Sequence, residues 1–142
     1  MSLFVENSSF RYPKPSLREN SLETFLLKTQ ELLEKGDAHR FQVIKDQQIH
    51  PAFCVRAKGE IKTYLNVCPH MGLKLNRTSR NVFCRNKKNL YCYAHGATFC
   101  PLTGVCLHGP AMRMGLIPLE TTERDSAIYL ADTEYQFYSS VL

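Results

Sequence analysis

Cys68-Pro69-His70 and Cys92-Tyr93-Ala94-His95 are the two stretches that decide what this chain of 142 residues can be. Each stretch pairs one thiol with one imidazole, and Gly72 and Gly96 follow closely. Two such loops supply the donors of an asymmetric 2Fe-2S cluster, in which thiolates hold one iron and imidazoles the other. The glycines let backbone N–H groups approach the sulfur atoms. The predicted iron ligands are Cys68, His70, Cys92 and His95.

A zinc ion is the main alternative occupant of these four side chains. Zinc also binds two cysteines and two histidines, in a tetrahedral arrangement. Zinc modules of that kind usually place both cysteines in one half of the motif and both histidines in the other. Here each half is mixed, which favours the two-iron cluster over zinc and over a chance arrangement of structural residues.

The motifs resemble those of the Rieske proteins, whose pattern is C-x-H followed some tens of residues later by C-x-x-H-G. Residues 68–75 read CPHMGLKL, and residues 92–106 read CYAHGATFCPLTGVC and lead to HGPA at residues 108–111. This order is similar to the ferredoxin components of Rieske oxygenase systems. The resemblance covers roughly residues 40 to 132.

Short runs rich in β-branched and aromatic residues follow His39 and are separated by turn signals, which predicts an all-β antiparallel domain. The resemblance implies a β-sandwich base with an inserted cluster-binding subdomain. We expect the Rieske domain to span residues 38–134, with its cluster-binding tip at about residues 64–110. Residues 135–142 are expected to form a C-terminal tail.

The first 37 residues are predicted to form an extended arm followed by one amphipathic α-helix. Asn20 with Glu23 has the pattern of a capping box, and Gly36 is a stop signal. Apolar residues between them recur at the helical period. We expect this helix to pack on the β domain.

Composition excludes several function classes. No apolar run approaches the ~18 residues of a membrane-spanning helix, and the N-terminus does not have the pattern of a secretory signal. A cytoplasmic location is therefore expected. The net charge of +5 suits a redox protein with acidic partners, or serves solubility alone. Apart from the turn with Arg85, Lys87 and Lys88 the charges are scattered, and no nucleic-acid motif is present.

The resemblance also bears on the reduction potential. High-potential Rieske proteins carry a disulfide between the two ligand loops, and the corresponding positions here are Leu73 and Ala94. They also donate two hydroxyl hydrogen bonds to the cluster from positions that correspond to Ala97 and Phe99. The absence of the disulfide and of both hydroxyl donors predicts a reduction potential near the lower end of the ~−150 to +300 mV range of Rieske centres.

The four other cysteines are expected to remain thiols. Cys54 and Cys84 lie in strand-like runs, and a Cys100–Cys106 pair is not expected in a reducing compartment.

The resemblance implies an electron carrier that takes single electrons from a flavin reductase and passes them to a terminal oxygenase or another oxidoreductase. His39, His50 and His108 have no spacing suited to a second, mononuclear iron site, so catalysis on this chain alone is not expected. A Rieske subunit of a split oxygenase or reductase complex and a cluster-based redox sensor are the alternatives.

Overall fold

The computed structural model describes residues 23–69 and 72–139. These residues form antiparallel sheets with a single short 3₁₀ turn among them, which confirms the all-β prediction. The strands are β1 Thr24–Lys28, β2 His39–Lys45, β3 Gln48–Ala57, β4 Glu60–Leu65, β5 Leu90–Tyr91, β6 Thr98–Phe99, β7 Cys106–His108, β8 Thr121–Arg124, β9 Ala127–Leu130 and β10 Gln136–Tyr138.

The base consists of two sheets, ordered β10-β2-β3-β4 and β1-β9-β8. Two-residue turns join β2 to β3, β3 to β4 and β8 to β9, and both turn residues have positive φ in each case. Such turns match the right-handed twist of the strands they join and so fix the hairpin register. The turn of β3–β4 is formed by Lys58 and Gly59.

The N-terminal helix prediction is wrong over the part of it that the structure describes. Residues 24–28 form β1, which pairs antiparallel with β9, and Thr29–Glu31 form the 3₁₀ turn. An irregularity in register between Phe25 and Leu27 lets Leu26 and Leu27 both enter the core. Pairing with β9 and burial of these leucines override the local helical preference. Residues 1–22, which include the predicted arm and helix start, lie outside the described residues.

The predicted tip contains the third sheet, ordered β5-β6-β7. One buried cluster runs from the base into this sheet, so Phe53 and Tyr64 of the base share a core with Phe83, Leu90 and Phe99 of the tip. A second cluster lies inside the base and includes Leu26, Leu27 and Ile128. The shared core fixes the tip on its base. Within residues 23–69 and 72–139, no helix has the length and apolar character that a membrane crossing requires.

Candidate metal centre

The first ligand loop is closed by hydrogen bonds around Cys68. The Cys68 carbonyl oxygen accepts from the Gly72 N–H at 2.7 Å, and the Cys68 N–H donates to the Leu73 carbonyl at 2.7 Å. Gly72 has φ +74°, a conformation that glycine adopts without strain. The backbone of Cys68 is therefore held against that of Gly72 and Leu73.

The second ligand loop repeats this backbone geometry. The Cys92 carbonyl accepts from the Gly96 N–H at 2.8 Å, and the Cys92 N–H donates to the Ala97 carbonyl at 2.8 Å. Gly96 has φ +83°. The Cys–Gly hydrogen bonds and the glycine conformations of the two C-x-x-x-G segments therefore match.

The two ligand loops lie side by side. The Tyr93 N–H of the second loop donates to the Leu75 carbonyl of the first at 2.7 Å. Cys68 and Cys92 belong to the same buried cluster, and both are fully inaccessible to solvent. The thiols that are expected to bind iron are therefore held inside the protein, next to each other's loops.

His95 is exposed, in contrast to the two cysteines. The second loop therefore places its thiol inward and its imidazole at the surface. His70 lies outside the described residues. Among the residues that are described, no three His, Cys, Asp or Glu side chains form a ready group for a metal ion. The donor types that the structure does place, buried thiols and a surface imidazole on matched glycine loops, fit a Rieske-type cluster.

A third loop, at residues 108–110, packs directly on the second ligand loop. A Cβ added to Gly109, which has φ +98°, would lie 2.8 Å from the Ala97 Cα and 3.3 Å from the Gly96 carbonyl oxygen. On the neighbouring strands, Thr98 Oγ1 lies 3.3 Å from His108 Nδ1. Glycine at position 109 is therefore what allows the Gly-Pro loop to lie against the backbone of the ligand loop.

Buried asparagines that the sequence analysis did not identify hold the first loop in place. Asn66 is 1% exposed, and its Oδ1 accepts from the Leu75 N–H at 3.0 Å, across the segment that carries Cys68. Asn76 Oδ1 accepts from the Thr78 and Ser79 N–H groups. No motif marks these residues, because their role depends on which backbone groups the fold brings within reach.

The thiols outside the ligand set differ in character. Burial raises the pKa of Cys54 to about 12. Partial burial alone would also raise the pKa of Cys84, but backbone N–H groups of Asn89, Lys88, Asn86 and Lys87 together lower it. Cys100 and Cys106 form no disulfide in the structure.

Positions 97 and 99 lack a hydroxyl group and are sealed from solvent. Ala97 and Phe99 both have no solvent exposure. The second loop does contain a tyrosine, Tyr93, but its hydroxyl is used elsewhere. It donates to the Phe83 carbonyl at 2.6 Å and accepts from Asn81 Nδ2 at 3.1 Å. These bonds tie Tyr93 to the 81–83 segment.

Comparison with known proteins identifies the family. The Rieske [2Fe-2S] domain matches residues 23–123. No curated protein sequence matches the chain. Among solved structures, the ferredoxin of carbazole 1,9a-dioxygenase from Nocardioides aromaticivorans is similar at 17% identity and a TM-score of 0.60, over 78% of this chain and 98% of that one. A reduced oxygenase–oxidised ferredoxin complex of carbazole 1,9a-dioxygenase includes a similar chain, at 15% identity and a TM-score of 0.60, over 80% and 95%.

The terminal oxygenase of the Nocardioides aromaticivorans enzyme is also similar, at 18% identity and a TM-score of 0.61. That match covers 85% of this chain but only 34% of the oxygenase. At these identities the structural likeness establishes the fold. Together with the match over residues 23–123, it places the chain in the Rieske 2Fe-2S domain family, and its cofactor is a Rieske-type 2Fe-2S cluster.

Proposed function

We propose that the chain is a one-electron carrier in which Cys68 and Cys92 bind one iron of the cluster and His70 and His95 bind the other. When bound, the cluster accepts and releases one electron. The observation that carries the assignment is the pair of matched loops with buried cysteines, whose backbones are joined by the Tyr93–Leu75 hydrogen bond of 2.7 Å.

The chain's own residues shield the thiol end of the proposed cluster site from solvent and leave the imidazole end accessible. Cys68, Cys92, Ala97 and Ala111 are sealed from solvent, so the thiol end of the site is kept dry. His95 is exposed and offers a short route to a docked partner.

A reduction potential near the lower end of the ~−150 to +300 mV range of Rieske centres belongs to this proposal. Ala97 and Phe99 are buried and have no hydroxyl to stabilise the negative charge that reduction adds. A redox titration of the purified protein measures this directly. A clearly positive midpoint would contradict the reasoning, since it would require donors that these positions do not carry.

The proposed partners are a flavin-dependent reductase as electron donor and a terminal oxygenase or another oxidoreductase as acceptor. The similarity to the ferredoxin component of carbazole 1,9a-dioxygenase supports this place in a redox chain. If the chain is instead a subunit of a split oxygenase, it should co-purify in fixed ratio with a larger iron protein.

The ligand assignment is tested by substitution and reconstitution under anaerobic conditions. Cys68→Ser, Cys92→Ser, His70→Ala and His95→Ala should each lose inorganic sulfide, the broad visible absorption and the EPR signal of the reduced cluster. Cys84→Ser and His108→Ala are the matched controls and should retain all of them. Iron retention in the His70 or His95 variant equal to that of the controls would refute the assignment, and a colourless protein with bound zinc would favour the structural-zinc alternative.

A further inference from the structure

We propose that a basic patch beside the second ligand loop is the docking surface for an acidic redox-partner protein. This inference rests on the proposed electron-carrier function. The basic patch comprises Lys35, Lys58, Arg85, Lys87 and Lys88, which come from three separate turns of the chain.

The fold brings these three turns together. Lys87 Nζ lies 3.4 Å from the Lys35 carbonyl oxygen, to which it donates. The Lys35 N–H donates to the Arg56 carbonyl at 2.7 Å, which holds its turn against the end of β3. Glu34 in the same turn accepts from the N–H groups of both Lys58 and Gly59. The patch is not evident from the sequence, because its members are up to 53 positions apart.

Acidic side chains near the patch are already engaged. The Glu34 carboxylate is bound to turn amides by both oxygens. Asp37 pairs with Arg80 at 3.9 Å, and Glu60 pairs with Lys62 at 3.3 Å. Among the described residues, none of the five cations of the patch has a carboxylate within ion-pair distance, whereas Lys45, Lys62 and Arg124 elsewhere each have a glutamate partner.

The patch borders the electron-transfer loop through a cleft. This cleft has a volume of about 810 Å³ and is lined by Asn81, Cys84, Arg85, Asn86, Tyr91 and Tyr93. Tyr93 directly follows Cys92, and its ring meets that of Tyr91 edge to face at 4.8 Å. Arg85 of the patch and Tyr93 of the loop that carries His95 line the same cleft, so the patch adjoins this loop through Arg85. This position is what favours a redox partner as the occupant.

An acidic protein suits the surface better than a nucleic acid does. Unpaired surface cations raise the association rate of an oppositely charged partner by roughly 10- to 10³-fold at low salt. Single strands are bound in a charged groove that follows the backbone, with stacking rings along it, and a duplex is bound through contacts to several phosphates along its axis. Here the charges form one group where the 85–88 turn of the tip meets two turns of the base.

The test compares two triple variants that remove the same net charge. The patch variant carries Arg85→Gln, Lys87→Gln and Lys88→Gln, and the control variant carries Lys45→Gln, Lys62→Gln and Arg124→Gln. Far-UV circular dichroism and thermal melting verify the fold of both. Reduced plant-type ferredoxin, an acidic one-electron donor, is mixed with each oxidised protein in a stopped-flow instrument, and one electron passes from donor to cluster. The cluster's visible absorbance gives the second-order rate constant.

We expect the patch variant to react about tenfold more slowly than the unsubstituted protein at low ionic strength. The logarithm of the rate constant should change less than half as much in the control variant. The difference in rate between the two variants should vanish in 0.5 M salt, about where the Debye length falls below 5 Å. A cationic acceptor, tris(phenanthroline)cobalt(III), should oxidise the reduced patch variant faster than the reduced control. If the reaction with the acidic donor is slowed equally in both variants, the proposal is overturned.

Failure of this proposal is distinguishable from failure of the proposed function. If the chain carries no cluster, no bleaching occurs with dithionite or with any probe. If the cluster reacts normally but the patch variant behaves as the control does, the function stands and the docking surface does not. A third outcome would also overturn the proposal. Both variants would react at the rate of the unsubstituted protein, and only the patch variant would lose binding to a duplex oligonucleotide. The surface would then be a nucleic-acid surface.

Discussion

Gly109 offers a sharp test of how the third loop supports the cluster site. Replacing it with alanine places a Cβ 2.8 Å from the Ala97 Cα and 3.3 Å from the Ala97 nitrogen. These are backbone atoms of the second ligand loop, so they cannot move aside as a flexible side chain would. The third loop must therefore shift away from residues 96–97.

Two costs add in the Gly109→Ala variant. The φ of +98° is strained for any L-residue, by about 1–2 kcal/mol. The contact adds an overpacking cost of about 1–3 kcal/mol. Gly59→Ala is the matched control, because Gly59 has φ +79° and nothing within 4 Å of an added Cβ. It should lose only the strain cost, about 1–2 kcal/mol.

The assay measures thermal unfolding by far-UV circular dichroism and the decay of visible absorbance at constant temperature, both on cluster-loaded protein. We expect Gly109→Ala to melt about 3–9 °C below Gly59→Ala and to lose its visible absorbance faster. Equal melting temperatures and equal absorbance decay in the two variants would refute the view that the third loop is seated on the ligand loop.

Further predictions concern the first ligand loop, the thiols and the response to acid. Asn66→Ala should leave the buried Leu75 N–H without its acceptor, destabilise the fold by about 1–3 kcal/mol and accelerate cluster loss; stability equal to the unsubstituted protein would contradict this. Iodoacetamide at neutral pH should alkylate Cys84, whose pKa is lowered by backbone N–H groups that outweigh its partial burial, well before Cys54, whose pKa burial raises to about 12; mass mapping that finds Cys54 first would show the reverse. Burial, aided by the charge of Arg80 and opposed by Glu31, lowers the pKa of His39. The unfolded chain therefore binds this proton below about pH 6.5 while the folded one does not. Stability should fall as pH drops from there towards the folded pKa, and His39→Gln should reduce that slope in urea titrations; identical slopes would exclude the effect.

Local chemistry determined the cofactor and the fold class. Two C-x-x-x-G segments with one thiol and one imidazole each have few other uses, because the ligand types and the glycine requirement are both set within a few residues. Alternating β-branched and aromatic runs with turn signals such as Lys58-Gly59 likewise indicate strands, since the side-chain period of two is a local property.

Tertiary structure decided the features that depend on which distant segments meet. Residues 24–28 have helical spacing, yet they pair with β9 because the edge of that sheet and the core behind it stabilise a strand more than local propensity stabilises a helix. Asn66 became a support for the first loop only through its buried bond to Leu75. The basic patch arose because three turns that are separate along the chain converge where the 85–88 turn of the tip meets the base. Propensity and ligand spacing act over a few residues, whereas burial and surface charge depend on contacts that only the folded chain brings together.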